Sequence, residues 1–403
     1  MRPNLLLKEP DSSIVPHILL CLVQIIALSS PYFPQRRLVF GALIISLGAY
    51  CTLHPHFTNN FDLAQPFSLA WSFYTAVLAK IIFSDAPENQ FWRIDRPARE
   101  AREYNAFGWR KLRWATALMF NHRGIRWNHQ VKNIPAQAHT GKSAFLMRQL
   151  VKFLVCICMG DLLYYIHQRV NFTNRNGIVA NLDSKYLTLR HESWGWNLLK
   201  TFSLACLPYF ALSMQFALAG FLAVLFGLSR PEDWPSPFGS FDDMRTVRLF
   251  WGRFWHQQLR HMLTAYTDAS ADFLRIPRGT NFSSYFKLYL AFFISGSFHG
   301  LSQLYLPRPS NIAASECSLG FLKFFLCQAV AITLEDLVIW LWGVTGWRTK
   351  KVYFVGYLWV FLFLGWSFPL VGDTVLKMRV GEGDFAPFPL MRPVVNAFIG
   401  IPP

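Results

Sequence analysis

Long apolar runs separated by polar linkers dominate the chain and predict a bundle of membrane-spanning helices. A helix needs about 20 apolar residues to cross the hydrocarbon layer, and about eight runs approach that length. The fifth run is long, and Pro208 within it is expected to kink or divide the helix. The predicted spans lie near residues 14–30, 38–53, 66–84, 145–166, 197–228, 284–306, 318–345 and 352–372.

The amino-acid composition agrees with a chain embedded in lipid. Hydrophobic residues make up 53% of the 403 positions and charged residues only 15%, whereas a typical soluble domain carries roughly 25% charged residues. A water-soluble surface cannot be built from this mixture. The sequence therefore predicts an all-α fold, a polytopic membrane bundle that forms one domain over residues 1–403.

Positive charge is concentrated in the linkers of one side. The formal net charge is +16, which on a soluble protein would indicate nucleic acid. The linkers predicted to lie on one side of the membrane, which include residues 85–143 and 229–283, hold 23 Lys and Arg residues. The linkers predicted on the other side hold 10. Because basic linkers stay cytosolic, both long loops are predicted to face the cytosol. The expected partners are anionic lipid headgroups and anionic cofactors, with no nucleic acid.

The loop 85–143 contains two patterned segments. Aromatic, aliphatic and basic residues alternate over Phe107–Phe120, which suits an amphipathic helix lying in the membrane interface. The polar segment from Asn121 to Pro135 follows. Its residue types alone favour a basic interfacial loop.

His299 is the sharpest candidate for chemistry, because an ionisable group inside an apolar span is costly. It lies in an otherwise uncharged stretch, with Ser295 one turn earlier on the same face. Two interpretations stay open: His299 only hydrogen-bonds a neighbouring helix, or it acts as a general base. Burial favours the neutral imidazole, which is the form that accepts a proton from a hydroxyl group.

A second candidate is the aromatic and basic segment from Arg248 to Arg260. Trp251, Trp255 and His256 cluster around Arg253 in this segment. An interfacial aromatic belt with a snorkelling arginine is the simpler interpretation. His256 fits that interpretation less well, since it adds a second imidazole near the membrane boundary.

The remaining polar and sulfur-containing groups carry weaker signals. Glu335 and Asp336 lie in the seventh predicted span, and a structural pair is favoured over a lining of the acceptor pocket. The seven cysteines fall mostly inside apolar runs. They are predicted to be small buried hydrophobes, and no metal site is predicted.

Three pieces of sequence resemble, in their order along the chain, the wax synthase-like branch of the membrane-bound O-acyltransferase superfamily. They are Asn121–Trp127, Phe250–His256 and Phe293–Gly300. The resemblance covers roughly residues 60–370 and looks closest to fungal O-acetyltransferases of terpenoid and meroterpenoid natural products. It implies a helical bundle with an internal reaction chamber, in a multi-pass membrane protein of the endoplasmic reticulum.

The resemblance also implies roles for particular residues. His299 corresponds to the catalytic histidine, and His256 to its partner, a position where many relatives carry Asn. The implied co-substrate is acetyl-CoA, with no permanently bound cofactor, and the implied acceptor is a hydrophobic alcohol. The positions expected to bind the co-substrate are Trp251, Arg253 and Trp255, with Arg248 and Arg260 as weaker candidates.

Two alternatives to this function stay open at the level of sequence. One is a wax ester synthase that uses long-chain acyl-CoA, since one sequence does not display the depth of an acyl tunnel. The other is a transporter or channel, in which His299 would line a proton or substrate path. The chain shows no internal repeat, which weakens a transporter built from two related halves. No feature of the sequence specifies an oligomeric state.

Overall fold

The fold consists of α-helices joined by turns and short 3-10 segments. The computed structural model describes residues 6–84, 86–135, 141–173, 183–345, 352–382 and 390–400, and these form no β-strand. The helices in chain order are α1 (Ile14–Ser29), α2 (Arg36–Leu53), α3 (Phe61–Ser68), α4 (Ala70–Ile82), α5 (Pro87–Gln90), α6 (Trp109–Phe120), α7 (Lys142–Phe172), α8 (Trp194–Ala205), α9 (Leu207–Leu225), α10 (Val247–Leu249), α11 (Arg260–Phe273), α12 (Asn281–Ser302), α13 (Ala314–Thr345), α14 (Val352–Ser367), α15 (Pro369–Lys377) and α16 (Arg392–Phe398).

The chain divides into two compact units, each built from separate stretches of sequence. Unit 1 comprises Met1–Leu6, Ile134–His256 and Arg308–Pro403, and it contains α7 to α10 and α13 to α16. Unit 2 comprises Leu7–Asn133 and Gln257–Pro307, and it contains α1 to α6 with α11 and α12.

The core of unit 2 forms where α1, α2, α4 and α6 pack together. One apolar side chain from each of these helices is fully buried there: Leu28, Ile44, Val77 and Leu118 each have 0% exposure. Burial of these apolar faces against one another packs the four helices around one core.

Unit 1 is organised around two helix pairs, α7 with α9 and α13 with α15. The second pair approaches closely at Gly320, where an added Cβ would lie 2.2 Å from the backbone oxygen of Leu370. A glycine is required there because a side chain would push the two helices apart. A further apolar cluster of this unit contains Phe172, Leu187, Leu189, Leu204 and Leu376.

All eight predicted spans coincide with helices, which confirms the all-α membrane fold. Five helical segments are long and apolar enough to cross a membrane: 36–53, 142–172, 194–225, 314–343 and 354–377. Helix α1 is apolar but shorter, and α12 has 22 residues with polar groups among them. The chain is therefore a multi-pass membrane protein, and the number eight stays a prediction.

Three local expectations can be compared with the helices. The predicted division near Pro208 is confirmed, because α8 ends at Ala205 and α9 begins at Leu207 with the proline in its first turn. The helix predicted over Phe107–Phe120 is confirmed as α6. The span predicted near 66–84 consists of two helices, α3 and α4, which meet at Leu69. The basic linker 346–351 lies outside the described residues.

The outer surface of α13 has the character expected of a helix in contact with lipid. Val338, Ile339 and Trp340 are each more than half exposed. Large apolar patches of this kind are rare on soluble monomers. Their presence along a helix of 32 residues supports a membrane-embedded surface.

Candidate functional site

His299 lies in the last turn of α12, inside unit 2. The helix begins at a Thr280 cap, whose hydroxyl accepts a hydrogen bond from the Ser283 backbone N–H at 3.1 Å. The side chain of His299 is half-buried. The helix therefore presents this imidazole near its C-terminal end.

The hydrogen bond made by Nδ1 determines the tautomer of the neutral His299 ring. Nδ1 lies 2.8 Å from the backbone oxygen of Ser295 and 3.3 Å from the Ser295 hydroxyl. A carbonyl oxygen only accepts hydrogen bonds, so Nδ1 must carry the proton and donate it. The lone pair of the neutral ring is therefore on Nε2, the arrangement that a general base requires.

The indole of Trp71 packs beside this imidazole and is itself stacked on Phe298. The ring of Trp71 meets His299 edge-on, with the centroids 5.0 Å apart. Trp71 also stacks on Phe298, with centroids 5.2 Å apart and an interplanar angle of 9°. Helix α4 thus contributes an indole to the surroundings of His299, and this residue was missed in the analysis of the sequence.

The other four predicted site residues lie in one short segment of unit 1. After the single turn of α10, the chain forms a π-helical turn over Phe250–Phe254 and then becomes extended at Trp255. The Trp255 N–H donates to the Phe250 backbone oxygen at 2.7 Å, which closes this turn. Such π-turns occur frequently at functional sites.

A buried carboxylate holds the start of this segment. Glu335 of α13 is 7% exposed, and it accepts hydrogen bonds from the backbone N–H groups of Val247 at 2.5 Å and Arg248 at 3.0 Å. It also accepts one from the indole of Trp359 at 2.7 Å. These contacts support the structural role that was favoured for Glu335, whereas Asp336 is partly exposed and pairs with Arg248.

A second polar residue of α13 holds the middle of the segment. Gln328 is fully buried, and its side-chain oxygen accepts a hydrogen bond from Trp251 Nε1 at 3.1 Å. Its amide nitrogen donates to the Ser367 hydroxyl at 3.3 Å. Gln328 and Glu335 are seven residues apart and therefore share one face of α13. A polar residue inside an apolar span was the signal that identifies Gln328.

The three arginines proposed to face phosphates differ in their surroundings. Arg248 forms a two-point ion pair with Asp336. Arg260 donates to the side chain of Gln257 at 3.0 Å. The Arg253 side chain is 54% exposed, and its Nη1 lies 4.0 Å from an Asp243 oxygen. Of the three, Arg253 thus has the most exposed and loosely paired guanidinium, which favours it as the one that contacts an anion.

His256 follows the π-turn directly and is half-buried. Its ring lies 5.5 Å from that of Trp255 and 6.3 Å from that of Phe238, measured between centroids. Trp255 in turn stacks on Phe250 at 5.7 Å. Trp251, Arg253, Trp255 and His256 are thus brought together in unit 1, whereas His299 belongs to unit 2.

The segment after α6, predicted to be a basic interfacial loop, is partly buried. Its basic residues His122 and Arg123 are buried, with 6% and 4% exposure. The Asn121 side chain bonds both the N–H and the carbonyl of Ile125 at 2.9 Å. Burial lowers the pKa of Arg123 to about 10. The basic interfacial loop stays a prediction, and tertiary packing adds that part of it is buried.

The backbone conformation of this buried turn requires glycine at position 124. Its φ is +60°, in the left-handed region that glycine adopts without strain. An added Cβ would lie 2.9 Å from the ring of His129. The turn is therefore closed against a histidine side chain, and any larger residue at position 124 would disturb it.

Comparison with known families gives two matches along the chain. Residues 141–225 match the model of the aspirochlorine biosynthesis protein F C-terminal domain. Residues 234–327 match the model of the membrane bound O-acyl transferase family. The second match contains both the segment from Trp251 to His256 and His299.

Several fungal proteins are similar to the chain over much of its length. The aspirochlorine biosynthesis protein F of Aspergillus oryzae is 42% identical over 229 residues, which cover 56% of this chain and 89% of that protein. The acetyltransferase ple2 of Rhodocybe pseudopiperita is 28% identical over 89% of this chain and 91% of its own length. The acetyltransferase eriL of Hericium erinaceus is 28% identical over 70% of each chain.

Proposed function

Because the chain belongs to the membrane-bound O-acyltransferase family, we propose that it transfers an acetyl group from acetyl-CoA to a hydroxyl group of a hydrophobic terpenoid or meroterpenoid alcohol. Membership makes it an O-acyltransferase. The choice of acetyl is supported by similar fungal proteins that are named acetyltransferases. We place the protein in the endoplasmic reticulum, where a membrane-embedded enzyme meets cytosolic acetyl-CoA and a lipid-soluble acceptor.

The tautomer of His299 carries this proposal. With Nδ1–H donated to the Ser295 carbonyl, Nε2 accepts the proton of the acceptor hydroxyl. The hydroxyl oxygen then attacks the carbonyl carbon of the thioester. Collapse of the tetrahedral intermediate breaks the carbon–sulfur bond, and the CoA thiolate takes the proton from Nε2. The products are the acetate ester and free CoA, and His299 is regenerated without a covalent acyl-enzyme.

The residues of unit 1 are assigned to the acyl donor. His256 donates a hydrogen bond to the oxygen on which negative charge develops, and one donor of this kind lowers a barrier by about 3 kcal/mol. Arg253, which is the most exposed of the candidate arginines, contacts the phosphates of CoA. Trp251 and Trp255 provide the apolar surface beside them. Acetyl-CoA is a co-substrate in this scheme, and no permanently bound cofactor takes part.

Labelled acetyl-CoA and a panel of terpenoid alcohols, supplied to microsomes that contain the protein, test the proposal. The wild type is expected to form a labelled ester, and His299→Ala is expected to abolish it while the protein still accumulates in the membrane. The matched control is His191→Ala, which changes a half-buried histidine of a loop in unit 1. Full activity of His299→Ala would reject the assignment.

Two further arms of the experiment separate the alternatives. Palmitoyl-CoA is compared with acetyl-CoA as acyl donor. A strong preference for palmitoyl-CoA would show that the protein is a wax ester synthase and not an acetyltransferase. Reconstituted liposomes are tested for flux of the alcohols. Flux of the alcohols across the membrane without any consumption of acyl-CoA would show that the protein is a transporter and not an enzyme.

A further inference from the structure

Trp71 is a buried indole in direct contact with His299. It lies in the first turn of α4 and is 6% exposed. One face stacks on Phe298 and the ring meets the His299 imidazole edge-on at 5.0 Å. All three residues belong to unit 2. The indole is therefore held rigidly, by packing on both neighbours, next to the proposed base.

The indole N–H of Trp71 is a buried donor without an acceptor in the described part of the chain. Burying a donor without a partner costs free energy, and native proteins rarely leave such groups unpaired. Trp114 of the same unit shows the usual arrangement. It is buried to a similar extent, with 5% exposure, and its indole N–H donates to the Phe91 backbone oxygen at 3.3 Å.

The position of Trp71 beside His299 limits which group can accept the hydrogen bond of its indole N–H. A base takes a proton from a hydroxyl group that lies within about 3 Å, and that hydroxyl oxygen must lie at about 3 Å from the carbonyl carbon it attacks. The ring contact between Trp71 and His299 makes this N–H a candidate donor to the carbonyl that reacts there. Its oxygen becomes negatively charged during the reaction and needs hydrogen-bond donors.

We propose that Trp71 is a catalytic residue whose indole N–H donates a hydrogen bond to the carbonyl oxygen of the acyl group that reacts at His299. This inference rests on the proposed function, which it deepens by assigning a further donor for the developing oxyanion. The donor has no acceptor among the residues that the structure describes, so no hydrogen bond seen there has to be broken when the acyl group arrives. The rival explanation is an ordered water molecule that takes this hydrogen bond in a purely structural role.

Two replacements remove the N–H and keep an aromatic side chain. Trp71→Phe keeps a smaller ring, and Trp71→benzothienylalanine keeps the full shape of the indole with sulfur in place of N–H. The matched control is Trp114→Phe, which removes an N–H that has a partner. Initial rates with acetyl-CoA and the preferred alcohol are measured together with the thermal unfolding of each purified protein in detergent.

We expect both Trp71 replacements to lower kcat about 100-fold, with the KM for acetyl-CoA changed less than about threefold. Trp71→benzothienylalanine is expected to unfold at the wild-type temperature, because no hydrogen bond of the protein is lost. Trp114→Phe is expected to show the opposite pattern, with a lower unfolding temperature and nearly unchanged kcat. A loss of kcat without a loss of stability identifies a catalytic donor, and a loss of stability without a loss of kcat identifies a structural one.

Three results would overturn the inference. Wild-type kcat in the benzothienylalanine protein would show that the N–H takes no part in the reaction. A drop in its unfolding temperature equal to that of Trp114→Phe would show that the N–H bonds a structural partner such as water. A wild-type protein that acetylates none of the alcohols would instead overturn the proposed function, and with it the premise on which the role of Trp71 rests.

Discussion

Removal of the Glu335 carboxylate is the sharpest test of how α13 holds the segment Trp251–His256. This side chain accepts three N–H donors, two of which share one oxygen: Val247 N at 2.5 Å and Trp359 Nε1 at 2.7 Å. The other oxygen accepts from Arg248 N at 3.0 Å. Glu335→Ala leaves all three donors without this acceptor, and Val247 is fully buried.

The size of the effect follows from these contacts. A hydrogen bond to a charged acceptor contributes about 1.5–3 kcal/mol. Three such bonds do not add fully, because they share one carboxylate and are not independent of one another. We expect Glu335→Ala to lower the free energy of unfolding by about 3–5 kcal/mol. Glu335→Gln keeps one oxygen for Val247 and Trp359, so its expected cost is about 1–2 kcal/mol.

The neighbouring acid provides the matched control. Asp336 is partly exposed and pairs with the exposed side chain of Arg248. Exposed ion pairs contribute about 0–1 kcal/mol, so Asp336→Asn is expected to cost less than about 1 kcal/mol. Unfolding is followed in detergent micelles by thermal or denaturant titration, and acetyl transfer is measured on the folded fraction of each variant.

Activity is expected to follow the order of stability. Loss of the Glu335 contacts displaces the π-turn that carries Trp251 and precedes His256, and a shift of about 1 Å in a catalytic group costs about 100-fold in rate. Glu335→Ala is therefore expected to lose far more activity than Asp336→Asn. If Glu335→Ala unfolds at the wild-type temperature, or if Asp336→Asn costs as much, the idea that this carboxylate anchors the segment is refuted.

Three further variants test separate parts of the structure. Ser295→Ala is expected to change kcat less than about threefold, because the shorter bond to His299 comes from the backbone carbonyl, which the variant keeps; a loss as large as that of His299→Ala would contradict the tautomer. Gly124→Ala is expected to cost about 1–3 kcal/mol of unfolding free energy, since φ is +60° and the new methyl group meets His129; wild-type stability in a thermal scan would disprove the tight turn. The Arg93 hydrogen bond holds the pKa of Asp95 at about 2, below its usual value near 3.9, so its contribution is present above about pH 4 and lost between about pH 4 and pH 2. Asp95→Asn is expected to destabilise the protein by less than about 1 kcal/mol at pH 7 and not at pH 2, because the pair is exposed; an equal effect at both pH values would contradict the pairing.

Local patterns in the sequence were sufficient for several features of this protein. Runs of apolar residues located the helices, because burial in lipid depends on the hydrophobicity of each stretch and little on its neighbours. The mixture of aromatic, aliphatic and basic residues identified α6, and Pro208 identified the division of the fifth run. His299 was identifiable because an ionisable residue in an apolar span is rare and costly. Its Nδ1 partner lies one turn away on the same helix, at Ser295.

Tertiary structure decided what depends on contacts between distant parts of the chain. The sequence places Glu335 and Gln328 inside a span, but only packing of α13 against the segment after Thr246 gives their oxygens the N–H donors that they accept. Tertiary packing also buries the turn at Gly124 and the indole of Trp71, whose N–H has no acceptor in the described part of the chain. A hydrogen bond depends on distances of a few tenths of an ångström, and hydropathy and spacing carry no information at that scale between residues that are far apart in sequence.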